Sequence, residues 1–219
     1  MKQALALFAA SVSASAPVYG TYPGWVLGEN RVGINVEIVI DFMCSDSAAN
    51  NPIWEATLAS PWLDGTVQDQ VYWAYSPLAL PYHVHTWQVG QVLPYLQELC
   101  AEQNNCLMND YKNFCFRRDI LTFVEDAKFM SQDDFEILWS QVVATEFNLD
   151  QTTLLNLYKP LKDKSKSENN SRAMWKFNAA RKVSGTPSAF INGVPVAMPA
   201  STEDWLTLLQ QVYDSQYRA

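Results

Sequence analysis

The sequence predicts an α/β chain in which one mixed central sheet is assembled from two separated halves, strand–helix–strand and helix–hairpin–helix, with an all-helical stretch between them. Three observations carry this. An apolar run from Ile34 to Phe42 stops at Cys44, where helix-starting residues begin; no strand alternation occurs between His85 and about Lys166; and Asn192-Gly193 joins two short apolar runs ahead of a final amphipathic segment. At 219 residues, 48% of them apolar, the chain is long enough to bury a core of its own.

The first segment carries a lone Lys2, an apolar run from Ala4 to Ala10 and small residues from Ser11 to Ala16. That layout is expected of a secretory signal covering residues 1–19, too short to span a bilayer. The mature chain is then expected to be soluble, without membrane insertion, in a compartment that tolerates disulfides. Even positions Ile34, Val36, Ile38, Ile40 and Phe42, with Val39 on the other face, read as a central strand. Ser45, Asp46 and Ser47 lead into a helix from Ala48 to Leu58, with a kink expected at Pro52. Val71 to Tyr75 reads as a second buried strand, closed by the extended segment Pro77 to Pro81.

Helical spacing follows at Trp87 to Leu99, Arg118 to Met130, Gln132 to Thr145 and Gln151 to Leu161. The charged run Lys162 to Asn170 is expected to be a solvated loop before a helix from Ser171 to Lys182. Ser188 to Ile191 and Val194 to Val196 flank Asn192-Gly193, the favoured dipeptide of a type I′ hairpin turn. A last helix runs from about Thr202 to Tyr217, with Ser201 and Asp204 at capping-box spacing.

The formal charge of −8 disfavours nucleic-acid phosphates and anionic membrane surfaces as partners. The four cysteines, Cys44, Cys100, Cys106 and Cys115, include no CxxC pair, which argues against a zinc ribbon. In an oxidising compartment two of the last three would pair: Cys100 with Cys106, or Cys106 with Cys115 at nearly as good a spacing, leaving one thiol buried or available to Cys44. His83 and His85 alternate and would share a face if extended, but two ligands without a third make no metal site, so none is expected. Asn169 opens an N-glycosylation tripeptide in a polar stretch. Trp54, Trp73, Trp87 and Trp175 are expected to be core and groove lining.

The pieces Ile40-Asp-Phe-Met-Cys44-Ser-Asp-Ser47, Ser76 to His83, and Val183-Ser-Gly-Thr-Pro187 through Asn192-Gly193 resemble, in order, the DsbA-like branch of the thioredoxin superfamily. The resemblance implies a thioredoxin-like domain from residues 20–90 and 171–219, with a helical insertion at 91–170. It implies Cys44 as nucleophile, a cis bond before Pro187 beside it, and pairing of the Thr186 backbone with an extended substrate. The position where that branch carries its resolving cysteine is Ser47.

Independently of the resemblance, a thiol where a strand ends and a helix begins faces unpaired N–H groups and the positive end of the helix dipole, which favour thiolate. Asp46 opposes this by its charge, unless its side chain caps the helix, and Ser47 is placed to donate a hydrogen bond to the sulfur. A single thiol forms a mixed disulfide that an outside thiol, or the substrate's own second thiol, must resolve. The expected activity is therefore monothiol exchange or isomerisation on unfolded or disulfide-containing client proteins, with no cofactor and glutathione as a possible co-substrate. Two other readings keep the fold: a redox-inactive peptide-binding or chaperone module, and a glutathione-dependent enzyme like the kappa-class transferases, which usually put serine where Cys44 stands.

Overall fold

The structure is a computed structural model that describes residues 22–159 and 166–217. The expected signal segment, residues 1–19, and Lys162 to Ser165 lie outside the described residues. The chain enters through β1 (Trp25–Val26), continues as β2 (Asn35–Ile40) and leaves the sheet into α1 (Ser45–Ala59). A small ribbon, β3 (Pro61–Trp62) with β4 (Gly65–Thr66), and the single turn α2 (Val67–Gln70) lead into β5 (Tyr72–Pro77). Helices α3 (Thr86–Gly90), α4 (Leu93–Gln103), α5 (Met108–Cys115), α6 (Arg118–Asp126), α7 (Gln132–Phe147) and α8 (Gln151–Asn156) follow without an intervening strand. The chain returns through α9 (Lys166–Ala180), β6 (Ser188–Ile191), β7 (Val194–Val196) and α10 (Thr202–Tyr217).

The sheet order is β1-β5-β2-β6-β7. β2 lies parallel to β5, from Asn35 opposite Tyr72 to Ile40 opposite Pro77, and antiparallel to β6, from Val36 opposite Ile191 to Val39 opposite Ser188. Two neighbours and helices on both faces explain the near-continuous apolar run. Ile34, Val36, Ile38, Ile40 and Phe42 enter the main core, whereas Val39 joins Leu78, Leu80 and Phe190 on the opposite face. Full burial of each such side chain contributes roughly 1.5–3 kcal/mol. Asn192 and Gly193 both take positive φ, 50° and 78°, as the hairpin turn requires.

The fold departs from the sequence expectations at places where tertiary contacts override local pattern. Helix α1 starts at Ser45, directly behind Cys44 and three residues before the expected start, and contains Pro52. The run Lys162 to Asn170 is not loop throughout, because α9 begins at Lys166. Ser167 is buried with its hydroxyl donating to Gln91 O, and Glu168 accepts from Trp87 Nε1 at 3.3 Å. Those bonds to α3 hold polar residues in a helix that their own propensity would not favour. Helix α5 is not among the expected helices although Tyr111, Phe114 and Cys115 stand at helical spacing; it is only eight residues long and a fully buried Lys112 sits among them.

The insertion has its own polar pin. Tyr111 donates to Val89 O at 2.6 Å and accepts from Trp139 Nε1 at 3.1 Å, with Phe114 and Phe147 packed around the ring. Cys100 and Cys106 are joined as a disulfide that closes the turn between α4 and α5, while Cys115 is wholly buried as a free thiol. Of the two pairings open at the sequence level, the structure takes the first.

Candidate active site

Cys44 is the N-cap residue of α1, with extended backbone (φ −78°, ψ 118°). Its N–H donates to Asp41 O at 3.1 Å and its carbonyl accepts from Ala48 N at 3.0 Å, so it belongs both to the turn leaving β2 and to the first turn of the helix. Ser and Asp are common at such a position because their side chains bond the first-turn N–H groups. The Cys44 side chain makes no such bond and donates instead to Thr186 O at 3.3 Å. The first-turn N–H groups and the dipole end of α1 therefore lie beside a sulfur that is not spent on capping.

Thr186 reaches Cys44 because β6 runs antiparallel to β2, with Ser188 opposite Val39. Continuing β2 forward and β6 backward from that pair brings residues 186 and 187 alongside the Cys44 turn. The Thr186–Pro187 bond is cis. Thr186 Oγ1 is buried without a hydrogen-bond partner among the described residues, and Ser188 Oγ donates to Gly185 O at 2.7 Å. Beside Pro187, a trough of about 330 Å³ is bordered by Arg181, Lys182, Pro195 and Met198.

Two expectations about the helix start need correction. Asp46 does not cap α1: Cys44 holds that position, and Asp46 stands exposed in the first turn, where its charge complements the dipole. Ser47 does not bond the sulfur. Its side chain is completely buried and its hydroxyl has no partner among the described residues, while the sulfur points to Thr186.

The residue that sequence reasoning missed is Asp41. Its side chain is fully buried and accepts at both oxygens: Oδ1 from Met43 N at 2.7 Å and Thr86 Oγ1 at 2.6 Å, Oδ2 from Leu80 N at 2.7 Å, with His83 Nδ1 at 3.0 Å from Oδ2. A lone carboxylate at the end of an apolar strand, three residues before the thiol, was the available signal. The bond to Asp41 raises the His83 pKa above the ordinary 6.5, against a smaller opposing effect of burial.

The two histidines do not share a face. His85 takes the left-handed region (φ 67°), stacks on Phe135 with ring centroids 4.0 Å apart, and has Nε2 3.1 Å from Ala127 O, whereas His83 turns to Asp41. No group of three His, Cys, Asp or Glu suited to a metal ion occurs among the described residues.

Cys115 is locked in the insertion core, where burial pushes its thiol pKa well up. Asn169 is exposed on α9, and Ser171 of its tripeptide is buried. Trp54 and Trp73 are core, while Trp87 and Trp175 line a small pocket together with Asp41 and Phe42.

No family model matches the chain, and no curated protein matches it. Solved structures do. The oxidoreductase DsbA of Xylella fastidiosa superposes with a TM-score of 0.57 at 14% identity, over 94% of this chain and 100% of that one. BdbD of Bacillus subtilis, in its oxidised form, gives 0.57 at 13% identity, over 90% and 94%. DsbA of Pseudomonas aeruginosa gives 0.54 at 16% identity, over 92% and 89%. Likeness at these identities establishes the fold, a thioredoxin-like mixed sheet carrying a helical insertion.

Proposed function

We propose that this chain is a thiol-disulfide exchange protein acting through the single nucleophile Cys44 on disulfides of client proteins in the secretory pathway. The observation that carries the reading is the position of the sulfur, at the N-terminus of α1 and 3.3 Å from the Thr186 carbonyl in the cis Thr186–Pro187 segment. The DsbA-type oxidoreductases that share this fold give it further support, as does the Cys100–Cys106 disulfide, which suits an oxidising compartment.

In the proposed step, Cys44 thiolate attacks one sulfur of a client disulfide; a Cys44–client disulfide forms and the other client sulfur leaves as thiolate. The client's second thiol, or glutathione, then attacks the mixed disulfide and returns Cys44 as thiolate. Position 47 holds a hydroxyl, so the step closes with no disulfide inside the motif. Thr186 and Pro187 supply the edge along which an extended client segment lies, with residues 20–90 and 171–219 as the catalytic domain and 91–170 as the insertion.

A second reading, a peptide-binding module without turnover, draws on the burial of Cys44, which is only 5% exposed. Alkylation of the folded protein across pH, with Cys44→Ser as blank and mass spectrometry to identify the labelled residue, separates the two. Labelling with a midpoint below that of a free cysteine, together with mixed disulfides trapped on reduced-and-reoxidised clients, supports exchange. Labelling only after unfolding supports the module, and protection of the fold by millimolar glutathione alone would point to the glutathione-dependent enzyme.

A further inference from the structure

We propose that Asp41 is a positioning residue for Cys44, and that protonated His83 cancels the charge that Asp41 places at the turn carrying the thiol. The inference rests on the reading of Cys44 as nucleophile and deepens it.

The geometry of the carboxylate carries the argument. Asp41 shapes the Cys44 turn twice: its carbonyl accepts from Cys44 N at 3.1 Å, and its side chain accepts from Met43 N at 2.7 Å. The same carboxylate ties that turn to the segment after β5 through Leu80 N and to the start of α3 through Thr86 Oγ1. Three stretches of chain thus meet at one fully buried group. An apolar residue there would fill the space and leave the Met43 and Leu80 N–H groups and the Thr86 hydroxyl without their acceptor.

The charge has a consequence for the sulfur. A carboxylate three residues before Cys44 opposes formation of a second negative charge, while the N-terminus of α1 favours it. His83 Nδ1, 3.0 Å from Asp41 Oδ2, neutralises the carboxylate when protonated, and its side chain is 22% exposed, enough to exchange protons with solvent. The groups facing His83 are Asp41, Glu125 on α6 and the edge of the Tyr82 ring, 4.7 Å away. On the helix side, the nearest charge in the chain to Cys44 is exposed Asp46. Loss of the His83 proton therefore leaves Asp41 uncompensated and makes the thiolate harder to form.

The test is the pH midpoint of Cys44 alkylation by iodoacetamide in four folded proteins: wild type, Asp41→Asn, His83→Gln and the double variant. Asp41→Asn removes the opposing charge and is expected to lower the midpoint. His83→Gln keeps a polar side chain beside Asp41 without the compensating charge and is expected to raise it, each shift being on the order of half a pH unit. The double variant should follow Asp41→Asn, because His83 acts only through Asp41. A merely structural role would alter thermal stability without these opposite shifts. If Asp41→Asn does not fold, His83→Gln decides alone. Unchanged midpoints in proteins that do label overturn the proposal; a wild type that labels only after unfolding overturns the reading of Cys44 itself.

Discussion

Two buried charges lie against α1, and the protein treats them in opposite ways. Asp41, just before the helix, accepts three hydrogen bonds and has His83 Nδ1 3.0 Å from Oδ2 as an ion-pair contact. Lys112, on α5, is just as buried but has one charged partner, Glu55 on α1 at 2.8 Å, and the face of Tyr75 with its centroid 4.2 Å away. The three Asp41 donors are backbone or hydroxyl groups already in place, so its charge is organised. The Lys112 charge is tolerated: burial lowers its pKa from the ordinary 10.5 to about 8, despite the pull of Glu55 in the other direction. One site uses its charge to assemble a turn, and the other carries a charge that its surroundings disfavour.

The largest effect follows from the organised site. Asp41→Ala leaves the N–H groups of Met43 and Leu80 and the Thr86 hydroxyl unpaired in the interior, and the expected loss of stability is about 3–5 kcal/mol. Urea unfolding of the variant measures it. A loss under about 1 kcal/mol would mean that water or a rearranged turn satisfies those donors, and the contrast with Lys112 would collapse.

The tolerated charge should answer asymmetrically. Glu55→Gln strands the ammonium of Lys112 and is expected to cost about 2–3 kcal/mol, whereas Lys112→Met leaves Glu55, whose side chain is 37% exposed, free to hydrate and is expected to be neutral or stabilising by about 1 kcal/mol. Equal losses from the two variants would show that the pair itself is stabilising. The pH dependence separates the two sites further. Between about 8 and 10.5 the unfolded chain holds the Lys112 proton and the folded chain does not, so stability rises with pH across that window, and Lys112→Met removes the rise. At His83 the sign reverses: its folded pKa lies above 6.5, so the contribution of the pair is complete below 6.5 and is lost as pH climbs through the raised value. Equilibrium unfolding from pH 5 to 10 on wild type, Lys112→Met and His83→Gln reads both slopes.

The contrast also explains what the sequence could reveal. β2, the Asn192-Gly193 hairpin and α10 are legible because period, turn dipeptide and capping residues are local, and in α10 even the Ser201–Asp204 contacts form as spaced. The position of Cys44 between strand and helix is legible for the same reason. Asp41 as a hub is not, since its donors come from residues 43, 80 and 86 and its ion-pair contact from residue 83, and only the folded sheet collects them. α5 is harder to read because its eight residues are few and Lys112, a buried position, reads as solvent-facing beside the apolar Tyr111, Phe114 and Cys115. β1 and the β3–β4 ribbon are two-residue strands, too short for any alternation to show.

Ser47 provides the smallest and most local comparison with Asp41. Both are polar, both are buried, and both lie three residues from Cys44, yet the carboxylate accepts three hydrogen bonds while the Ser47 hydroxyl has no partner among the described residues. An unpaired buried hydroxyl costs free energy that a methyl group does not, so Ser47→Ala is expected to leave stability unchanged or raise it by up to about 1 kcal/mol in thermal unfolding. A loss of more than about 1 kcal/mol would mean that the hydroxyl holds a bond in solution. The sulfur of Cys44, one helical turn away, would then be its first candidate, and the alkylation midpoint of the same variant would move upward with the loss of that donor.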